Sequence, residues 1–500
     1  MAASLPRTFG AQKKDLAYWM QHVLGEHSKL GRGFSADPVH DLRVALRRCI
    51  LIADVMKSLD PQGDWKPMSK AAKRVFRDLG ALRDAQVLMG WVERLGPQGE
   101  TSTLKLAAEM KARLERNRAT AREAVRDFDR KKWRNWARGL SPRFRHVAAN
   151  RAASESLVLE IWDSVRELHR RAQKSRSRLA YHRLRVQLKK LRYAVENFLP
   201  AAYAAWESDL KSLQDLLGEV HDLDLLSQEV VRKDFLLDET SRTWWRDKLD
   251  VERAARLQRY REKTSGKSSP LWIWREGLPV EKDVRAAGLA KLAEWAYFVT
   301  PGFPQARRVA KFSLQLYDGF ASCGLIPGDS GYEERSILHA AALLQEVGRF
   351  RKNKAHHKES YRMIRSISPP AGWSKRDLEL AALVARFHRG GLPRPDHKIM
   401  KAYSLPLRQS LLLLSALLRL ANAFCAKPYR AVRRLQVENC SGVVLVRADG
   451  YAGMDPPAPK LSAAKHLVEF ACHHSVHILP PGGRISGPIL VQPTTRSDAA

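Results

Sequence analysis

Cysteines are scarce in this chain, and their arrangement excludes two classes of small stabilised domain. The 500 residues contain five cysteines, widely scattered and never in a C-x-x-C pair. Such an odd, dispersed set predicts neither a disulfide framework nor a thiolate zinc site, and it is typical of a reducing cytoplasm. With 44% hydrophobic residues, the chain can instead bury substantial cores. Its length predicts about two to four domains.

Long apolar runs are also lacking. The longest run, from about Ser410 to Leu420, is interrupted by Ser415 and Arg419, whereas a membrane-spanning helix needs about 20 apolar residues. The N-terminus, MAASLPRTFGAQKKDLAYWM, does not have the charged-then-apolar order of an export signal. We therefore expect no export, no membrane span and a cytoplasmic location.

Acidic residues are few relative to basic ones. The chain has 87 Lys plus Arg against 53 Asp plus Glu, a formal net charge of +34. This excess indicates an anionic partner, and composition leaves nucleic acid, an anionic membrane face and a small or polymeric phosphate open. We find no helix-turn-helix pattern, zinc-finger spacing or aromatic-studded RNA-binding strand. Trp244 and Trp245 are more typical of a core than of a base-stacking platform.

The distribution of residue types predicts a mainly α protein of several parts. Apolar residues at three- and four-residue spacing in an Ala-, Leu-, Arg- and Glu-rich background predict a helical domain at 1–265. Gly, Ser and Pro then indicate a linker at 266–285. A second helical domain is predicted at 286–434, and β-branched, partly alternating segments predict a small α/β unit at 435–492. The last residues, 493–500, have the composition of a frayed tail.

The first domain contains an internal repeat. Residues 39–56, VHDLRVALRRCILIADVM, match residues 181–198, YHRLRVQLKKLRYAVENF, and His182 lies 142 residues after His40. A second pair, DLGALRDAQVLM and LLGEVHDLDLLS, follows in the same order, with Asp222 lying 138 residues after Asp84. Two matching blocks at nearly one offset predict two related helical halves packed about a pseudo-twofold axis.

Each copy of the repeat has one basic face and one apolar face. Successive helical residues are about 100° apart, which places a cationic stripe on one side of each helix and an apolar stripe on the opposite side. The stripes contain His40, Arg43 and Arg47 in the first half, and His182, Arg185, Lys189 and Arg192 in the second. A surface helix usually mixes acids with bases, whereas nearly all of these charges are positive. Guanidinium and ammonium groups suit phosphate oxygens, so facing stripes would form one polyanion channel.

An alternative interpretation is that a basic helix side is only a solvated face. The duplication of the stripe argues against this for the residues above. For the residues that extend the two faces, both interpretations stay open: Lys73, Arg74, Arg77, Arg83 and His221.

The repeated segments VHDLRVALRR, YHRLRVQLKKLRYAVENF and LQDLLGEVHDLDLL resemble the signature helices of the CHAD family, the conserved histidine α-helical domain. The resemblance covers roughly residues 10–260. It implies a pseudo-symmetric helical bundle that binds inorganic polyphosphate in a basic central cavity without catalysis. On this chain the family's cationic and histidine positions correspond to His40, Arg43, Arg47, Arg48, His182, Arg185, Lys189, Lys190 and Arg192. Arg77 and Arg83 complete our predicted ligand-binding set.

The second domain resembles the C-terminal helical domain of the exopolyphosphatase and guanosine pentaphosphate phosphatase (Ppx/GppA) family, which is related to HD-type metal phosphohydrolases. The resemblance rests on LHAAALLQEVGRFRKNKAHHKESYRMIRSI, LELAALVARFHRGGLP and LLLLSALLRLANAF. Catalytic HD sites need His and Asp ligands around a divalent metal. Here Gln345-Glu346 and Asn422 occupy those positions, so we predict no metal site. A secondary anion surface is expected at His356, His357, His388 and Arg389. For His356 and His357, an exposed loop without phosphate contact stays open as the alternative.

Near the C-terminus, Cys472, His473, His474 and His477 are close together in sequence. In an alternating strand their side chains would point to both faces, which argues against a metal site there.

Three functions remain in competition. The first is an inorganic polyphosphate-binding protein with a second, degenerate phosphate-handling module. The second is a polyphosphate or nucleotide phosphohydrolase, which the residues at 345 and 422 and the absence of a preceding glycine-rich phosphate loop argue against. The third is a non-specific nucleic-acid-binding protein. We expect no cofactor and no catalytic residue, with polyphosphate or another polyanion as partner and a place in the cytoplasm or on polyphosphate granules.

Overall fold

The computed structural model describes residues 15–31, 33–231, 238–300, 302–326, 333–352, 354–394, 397–440, 442–453 and 458–483. The predicted tail at 493–500 and the segment GPILVQP lie outside the described residues. The chain divides into two compact units, residues 1–291 and 292–500. We describe each unit by itself.

The first unit is helical throughout its described residues, as its sequence predicts. Its helices are α1 (Leu16–Leu30), α2 (Ala36–Leu59), α3 (Trp65–Asp78), α4 (Gly80–Leu95), α5 (Thr101–Arg126), α6 (Arg130–Ala149), α7 (Arg151–Ser175), α8 (Arg178–Phe198), α9 (Pro200–Val231), α10 (Glu239–Thr264) and α11 (Pro270–Glu276). Helix α12 (Glu281–Val299) contains the division between the two units.

The apolar stripes of the repeat lie in the core of this unit. Leu42, Ala45, Leu46, Cys49 and Ala53 of α2 are all 1% exposed or less, and so are Leu184, Leu188, Leu191 and Val195 of α8. The periodicity therefore identified the buried sides of both helices correctly. Because burial of these side chains away from water is favourable, the opposite, basic sides of α2 and α8 face away from the core.

A shared apolar cluster joins the two halves of the repeat. It contains Leu88, Trp91 and Val92 of α4, Leu106 and Met110 of α5, Leu223, Leu226 and Val230 of α9, and Trp245 and Leu249 of α10. Because helices from both halves contribute to one core, the polar residues on α4 and α9 are held in fixed relative positions.

The segment predicted as a linker is partly helical. Within 266–285, helix α11 presents Trp274, which is fully buried and lies against Trp206 of α9 with ring centroids 6.2 Å apart. Gly and Ser at 265–269 interrupt the helices, but the tryptophan anchors the following residues on the first unit.

The second unit combines helices with a small sheet. After α12 come α13 (Phe303–Ser322), α14 (Glu334–Leu344), α15 (His356–Ser366), α16 (Lys375–Arg386), α17 (Leu405–Cys425) and α18 (Pro459–Cys472), with 3-10 turns at Val347–Phe350, Met400–Ala402 and Tyr429–Ala431. Strand β1 (Arg434–Cys440) pairs antiparallel with β2 (Val443–Asp449), and β2 pairs parallel with β3 (Ser475–Leu479). No helix in the described part of the chain is long and apolar enough to cross a bilayer.

The sequence interpretation that Cys472, His473, His474 and His477 lie in one alternating strand is wrong for the first three of these residues. Helix α18 continues to Cys472, and His473 ends it in a left-handed conformation before β3 begins. The crossover between two parallel strands needs a helix, and the alternation of β-branched residues is confined to β3.

Candidate functional site

The repeat brings five basic side chains into one electrostatic cluster, here called the central cluster. It consists of Arg43 and Arg47 on α2, Arg83 on α4, and Arg185 and Lys189 on α8. All five are half-buried. Arg43 corresponds to Arg185 in the repeat, and Arg47 corresponds to Lys189.

The charges of the two halves act on each other. Burial and the neighbouring charges, among them Arg47 and Arg185, lower the pKa of Arg43 to about 10. Burial, followed by Arg185 and Arg47, lowers the pKa of Lys189 to about 6. Repulsion between like charges in a partly dehydrated site disfavours the protonated forms. For Arg43 and Lys189, burial and the surrounding positive charges thus outweigh the effect of the nearby carboxylates.

Several peripheral arginines of the same unit are neutralised by carboxylates, whereas three of the central basic side chains are not. Arg113 Nη2 lies 2.6 Å from Glu229 Oε2, and Arg256 Nε lies 2.9 Å from Glu219 Oε2. Among the described residues, no carboxylate lies within the 4.0 Å of an ion pair from Arg47, Arg185 or Lys189. The Nε of Arg185 is also buried without a hydrogen-bond acceptor in the described part of the unit.

Phe76, near the end of α3, fixes the two α2 arginines. The guanidinium of Arg43 donates a 2.6 Å hydrogen bond to the Phe76 carbonyl and lies 4.2 Å above the ring centroid. The guanidinium of Arg47 lies 5.1 Å from the same centroid. Because these contacts already restrict the two arginine side chains, binding a ligand costs less conformational entropy.

The histidines of the repeat supply neutral rings. His182 Nδ1 lies 3.2 Å from His221 Nδ1, so one ring donates the hydrogen bond and the other accepts it. Burial, Arg185 and His182 lower the pKa of His221 to about 3. Partial burial and nearby cations also lower the pKa of His40 and of His182. At neutral pH these imidazoles are hydrogen-bonding groups rather than additional cations.

Two carboxylates at the central cluster were missed by the sequence interpretation. Asp84 and Asp222 occupy matching positions in the repeat, and the sequence interpretation assigned them no role beyond the alignment of its two copies. Burial raises the pKa of Asp222 to about 6, although Arg185 and Lys189 oppose the shift. Burial also raises the pKa of Asp84. Their recurrence immediately after Arg83 and His221 was the signal that could have identified them.

Besides the two histidines, four predicted ligand-binding residues lie outside the central cluster. Arg48 is buried, pairs with Glu196 at 3.0 and 3.2 Å, and lies over the rings of Trp19 and Tyr193. Its neighbour Arg47 has the opposite environment because consecutive helical residues point about 100° apart. Of the other three, Arg77 is exposed beside Asp78, and Lys190 is exposed. Arg192 contacts Gln214 and Tyr203.

In the second unit, two of the four residues of the predicted anion surface, His356 and His388, are buried. His356 is fully buried and His388 is 7% exposed, and both rings face Glu346. His356 Nε2 lies 3.3 Å from Glu346 Oε1, and His388 Nε2 lies 3.5 Å from the same oxygen. Burial alone would raise the pKa of Glu346, but contact with His388 and nearby positive charge lower it.

The prediction that this unit has no metal site considered only some of the side chains that meet here. It rested on Gln345 and Asn422, which form a reciprocal amide pair with hydrogen bonds of 2.8 and 3.2 Å. These amides satisfy each other, but Glu346, His356 and His388 bring three other donor atoms within 4.8 Å of one another. The sequence interpretation assigned both histidines to an exposed anion surface and so did not connect them with the carboxylate.

A cavity of 640 Å³ opens beside this group. Glu346, His388, Gln345 and Asn422 line it together with Arg349, Arg389, Arg419 and Lys460. His357 is half-buried beside the two other rings, with its pKa lowered to about 4 by burial and His388, and Arg389 is exposed. The cavity therefore has a cationic rim and a histidine-carboxylate floor.

Comparison with known proteins assigns both parts of the chain. Residues 15–231 match the CHAD domain family, and residues 284–442 match the family described as Ppx/GppA phosphatase, domain III. The crystal structure of the CHAD domain from the plant Ricinus communis is similar to the chain at 18% sequence identity and a TM-score of 0.42, covering 52% of this chain and 96% of that one. No curated protein matches. The chain thus joins a CHAD domain at residues 15–231 to a Ppx/GppA phosphatase domain III at residues 284–442.

Proposed function

We propose that the first unit binds inorganic polyphosphate at the central cluster. The observation that carries this proposal is the lack of acidic partners within ion-pair distance of Arg47, Arg185 and Lys189, among the described residues, although these side chains are half-buried. Other partly buried arginines of the unit, such as Arg113 and Arg256, have such partners. Holding like charges together costs free energy unless an anion enters. A phosphate chain would supply that charge.

A linear polyanion fits the cluster better than a single phosphate does. The cations come from both halves of the repeat, so one extended ligand can contact α2 and α8 together. Each phosphate of polyphosphate carries negative charge, and several phosphates held at once release several counterions. The presence of a CHAD domain supports the same ligand class.

Duplex nucleic acid is the weaker candidate. Its phosphates lie on the outside of a wide, stiff cylinder, whereas the central cations are half-buried. A thinner chain would reach half-buried groups more easily. Single-stranded nucleic acids are usually bound with aromatic stacking. Phe76, the ring beside Arg43 and Arg47, is already covered by their guanidinium groups.

For the second unit we propose an accessory role in handling phosphate, consistent with its Ppx/GppA domain III and the cationic rim of its cavity. The polyphosphate-binding function predicts a place in the cytoplasm or on polyphosphate granules.

Competition binding tests the proposal. Labelled long-chain polyphosphate is bound to the full-length protein at near-physiological salt, and unlabelled polyphosphate or duplex DNA is added at equal phosphate concentration. We expect polyphosphate to displace the label and DNA to be ineffective. Displacement by DNA at equal phosphate concentration would instead favour a general nucleic-acid surface.

Substitution locates the binding site. Arg185→Gln removes a charge-assisted contact worth about 1.5–3 kcal/mol, so affinity should fall roughly tenfold to hundredfold and the salt dependence should become shallower. Arg116→Gln is the matched control, because Arg116 is exposed and paired with Glu109 at 2.6 Å. Equal affinities of the two variants would contradict a site at the central cluster.

A further inference from the structure

We propose that Glu346, His356 and His388 form a binding site for a divalent transition metal of the zinc class in the second unit. One carboxylate oxygen and two imidazole nitrogens converge there within 4.8 Å of one another. The three residues come from separate parts of the unit, since Glu346 follows α14, His356 begins α15 and His388 follows α16.

The spacing of the donor atoms fits a metal better than it fits hydrogen bonds. The two histidine nitrogens lie 3.3 and 3.5 Å from Glu346 Oε1. Charge-assisted N–H···O bonds are usually about 2.7–2.9 Å long. In a tetrahedral site with bonds of about 2.0–2.1 Å, neighbouring ligand atoms lie about 3.3–3.4 Å apart. The two separations from Glu346 Oε1 are thus close to those of atoms arranged around a central ion, and the two nitrogens lie within 4.8 Å of each other.

His388 has the tautomer and burial of a metal ligand. Its Nδ1 lies 2.7 Å from the carbonyl oxygen of Ala385 and donates a hydrogen bond to it, so Nε2 is the nitrogen directed at the cluster. Only 7% of the residue is exposed, and Nε2 has no hydrogen-bond partner among the described residues. Burying such a nitrogen without a partner costs free energy, which coordination would offset.

Close backbone contacts hold the ligands from α14 and α15 together. The Ser360 hydroxyl donates to the Gln345 carbonyl at 2.7 Å and accepts from the Gly348 N–H at 2.9 Å. A side chain at Gly348 would overlap the backbone of His356 and Ser360, so glycine allows this approach. The hydroxyl therefore links the turn after Glu346 to the helix that begins at His356.

An arginine fixes the segment that contains the third ligand. Arg419 donates from Nε to the Phe387 carbonyl at 2.7 Å and from Nη2 to the carbonyls of Gly390 and Gly391 at 3.0 and 2.8 Å. These acceptors flank His388 on both sides. The ligand positions are thus preorganised by the fold, as metal sites require.

The donor set selects the class of metal. Two imidazoles and one carboxylate suit zinc, iron, cobalt or nickel, whereas magnesium and calcium prefer oxygen ligands. Three protein ligands leave a coordination position for water or an oxyanion. Glu346 and His388 line the 640 Å³ cavity, which provides the entry path for the ion.

Metal content of the full-length protein tests the proposal. After exposure to zinc and removal of excess, elemental analysis should find about one equivalent per chain, and magnesium at the same concentration should not compete. Zinc should raise the Tm, and cobalt in its place should give the visible absorption of a low-symmetry nitrogen and oxygen site. A chain that retains no zinc at micromolar concentrations would overturn the assignment.

Three variants separate this site from adventitious binding. Glu346→Gln and His388→Gln should each weaken zinc and cobalt affinity by at least roughly a hundredfold. His466→Gln is the matched control, since His466 forms an exposed pair with Glu469 at 2.7 Å in the same unit. Circular dichroism verifies folding, and Glu346→Gln keeps the test decisive if His388→Gln fails to fold. Unchanged binding in Glu346→Gln, or loss only in His466→Gln, would refute the site.

Discussion

Two neighbouring arginines of α2 should respond in opposite ways to substitution. Arg47 belongs to the central cluster and has no carboxylate within ion-pair distance among the described residues, whereas Arg48 forms a buried two-bond ion pair with Glu196. We predict that Arg47→Gln reduces polyphosphate affinity with little effect on stability. Arg48→Ala should instead reduce stability and leave affinity nearly intact in the folded protein.

The magnitudes follow from what each guanidinium contacts. Loss of one charge-assisted phosphate contact at position 47 should cost about 1.5–3 kcal/mol of binding, roughly tenfold to hundredfold. It also removes a repulsive charge that lowers the pKa of Lys189, so stability should be unchanged or slightly higher. At position 48, both partners are 8% exposed at the side chain, and removing the cation leaves a buried carboxylate, which typically costs about 3–5 kcal/mol.

The assay pairs urea unfolding, followed by circular dichroism, with calorimetric titration of polyphosphate at one fixed salt concentration. Each variant is titrated at a temperature where it is folded. The reasoning is refuted if Arg48→Ala lowers affinity as much as Arg47→Gln does, because both arginines would then contact the ligand. It is also refuted if Arg47→Gln binds like the wild type.

Three further results are expected. The pKa of Lys189 is about 6 in the free protein, and a bound polyanion raises it. Binding between pH 6 and 8 should therefore take up protons, and the affinity should increase as pH falls. Calorimetry in buffers of different ionisation enthalpy measures this proton uptake, which should be smaller in Lys189→Gln. Asp222→Asn should strengthen binding by about 1 kcal/mol at pH 7.5, and by less at pH 5, where a group with a pKa of about 6 is already protonated. Gly348→Ala should lower stability by about 1–3 kcal/mol in urea unfolding, because the methyl group overlaps the backbone at His356, and it should weaken zinc retention.

Local periodicity was sufficient to predict much of the first unit. Helices α2 and α8, their buried stripes and the correspondence of Arg43 and Arg47 with Arg185 and Lys189 all follow from a 3.6-residue period and a repeat within the chain. These features depend on residues within a few turns of one another. The same pattern did not separate Arg48 from the cationic stripe, because the ion-pair partner Glu196 lies 148 residues away.

The sequence by itself determined the helical class, the two-part organisation of phosphate-related domains and the cationic faces, since each depends on composition, local spacing or family motifs. Tertiary structure alone decided which charges are neutralised and which titratable groups meet. Asp84 and Asp222 become part of the central cluster only when α4 and α9 pack on one core, and Glu346, His356 and His388 meet only after three separate segments come together. Through-space electrostatics and coordination depend on distances in the folded chain, and those distances are set by packing between residues far apart in sequence.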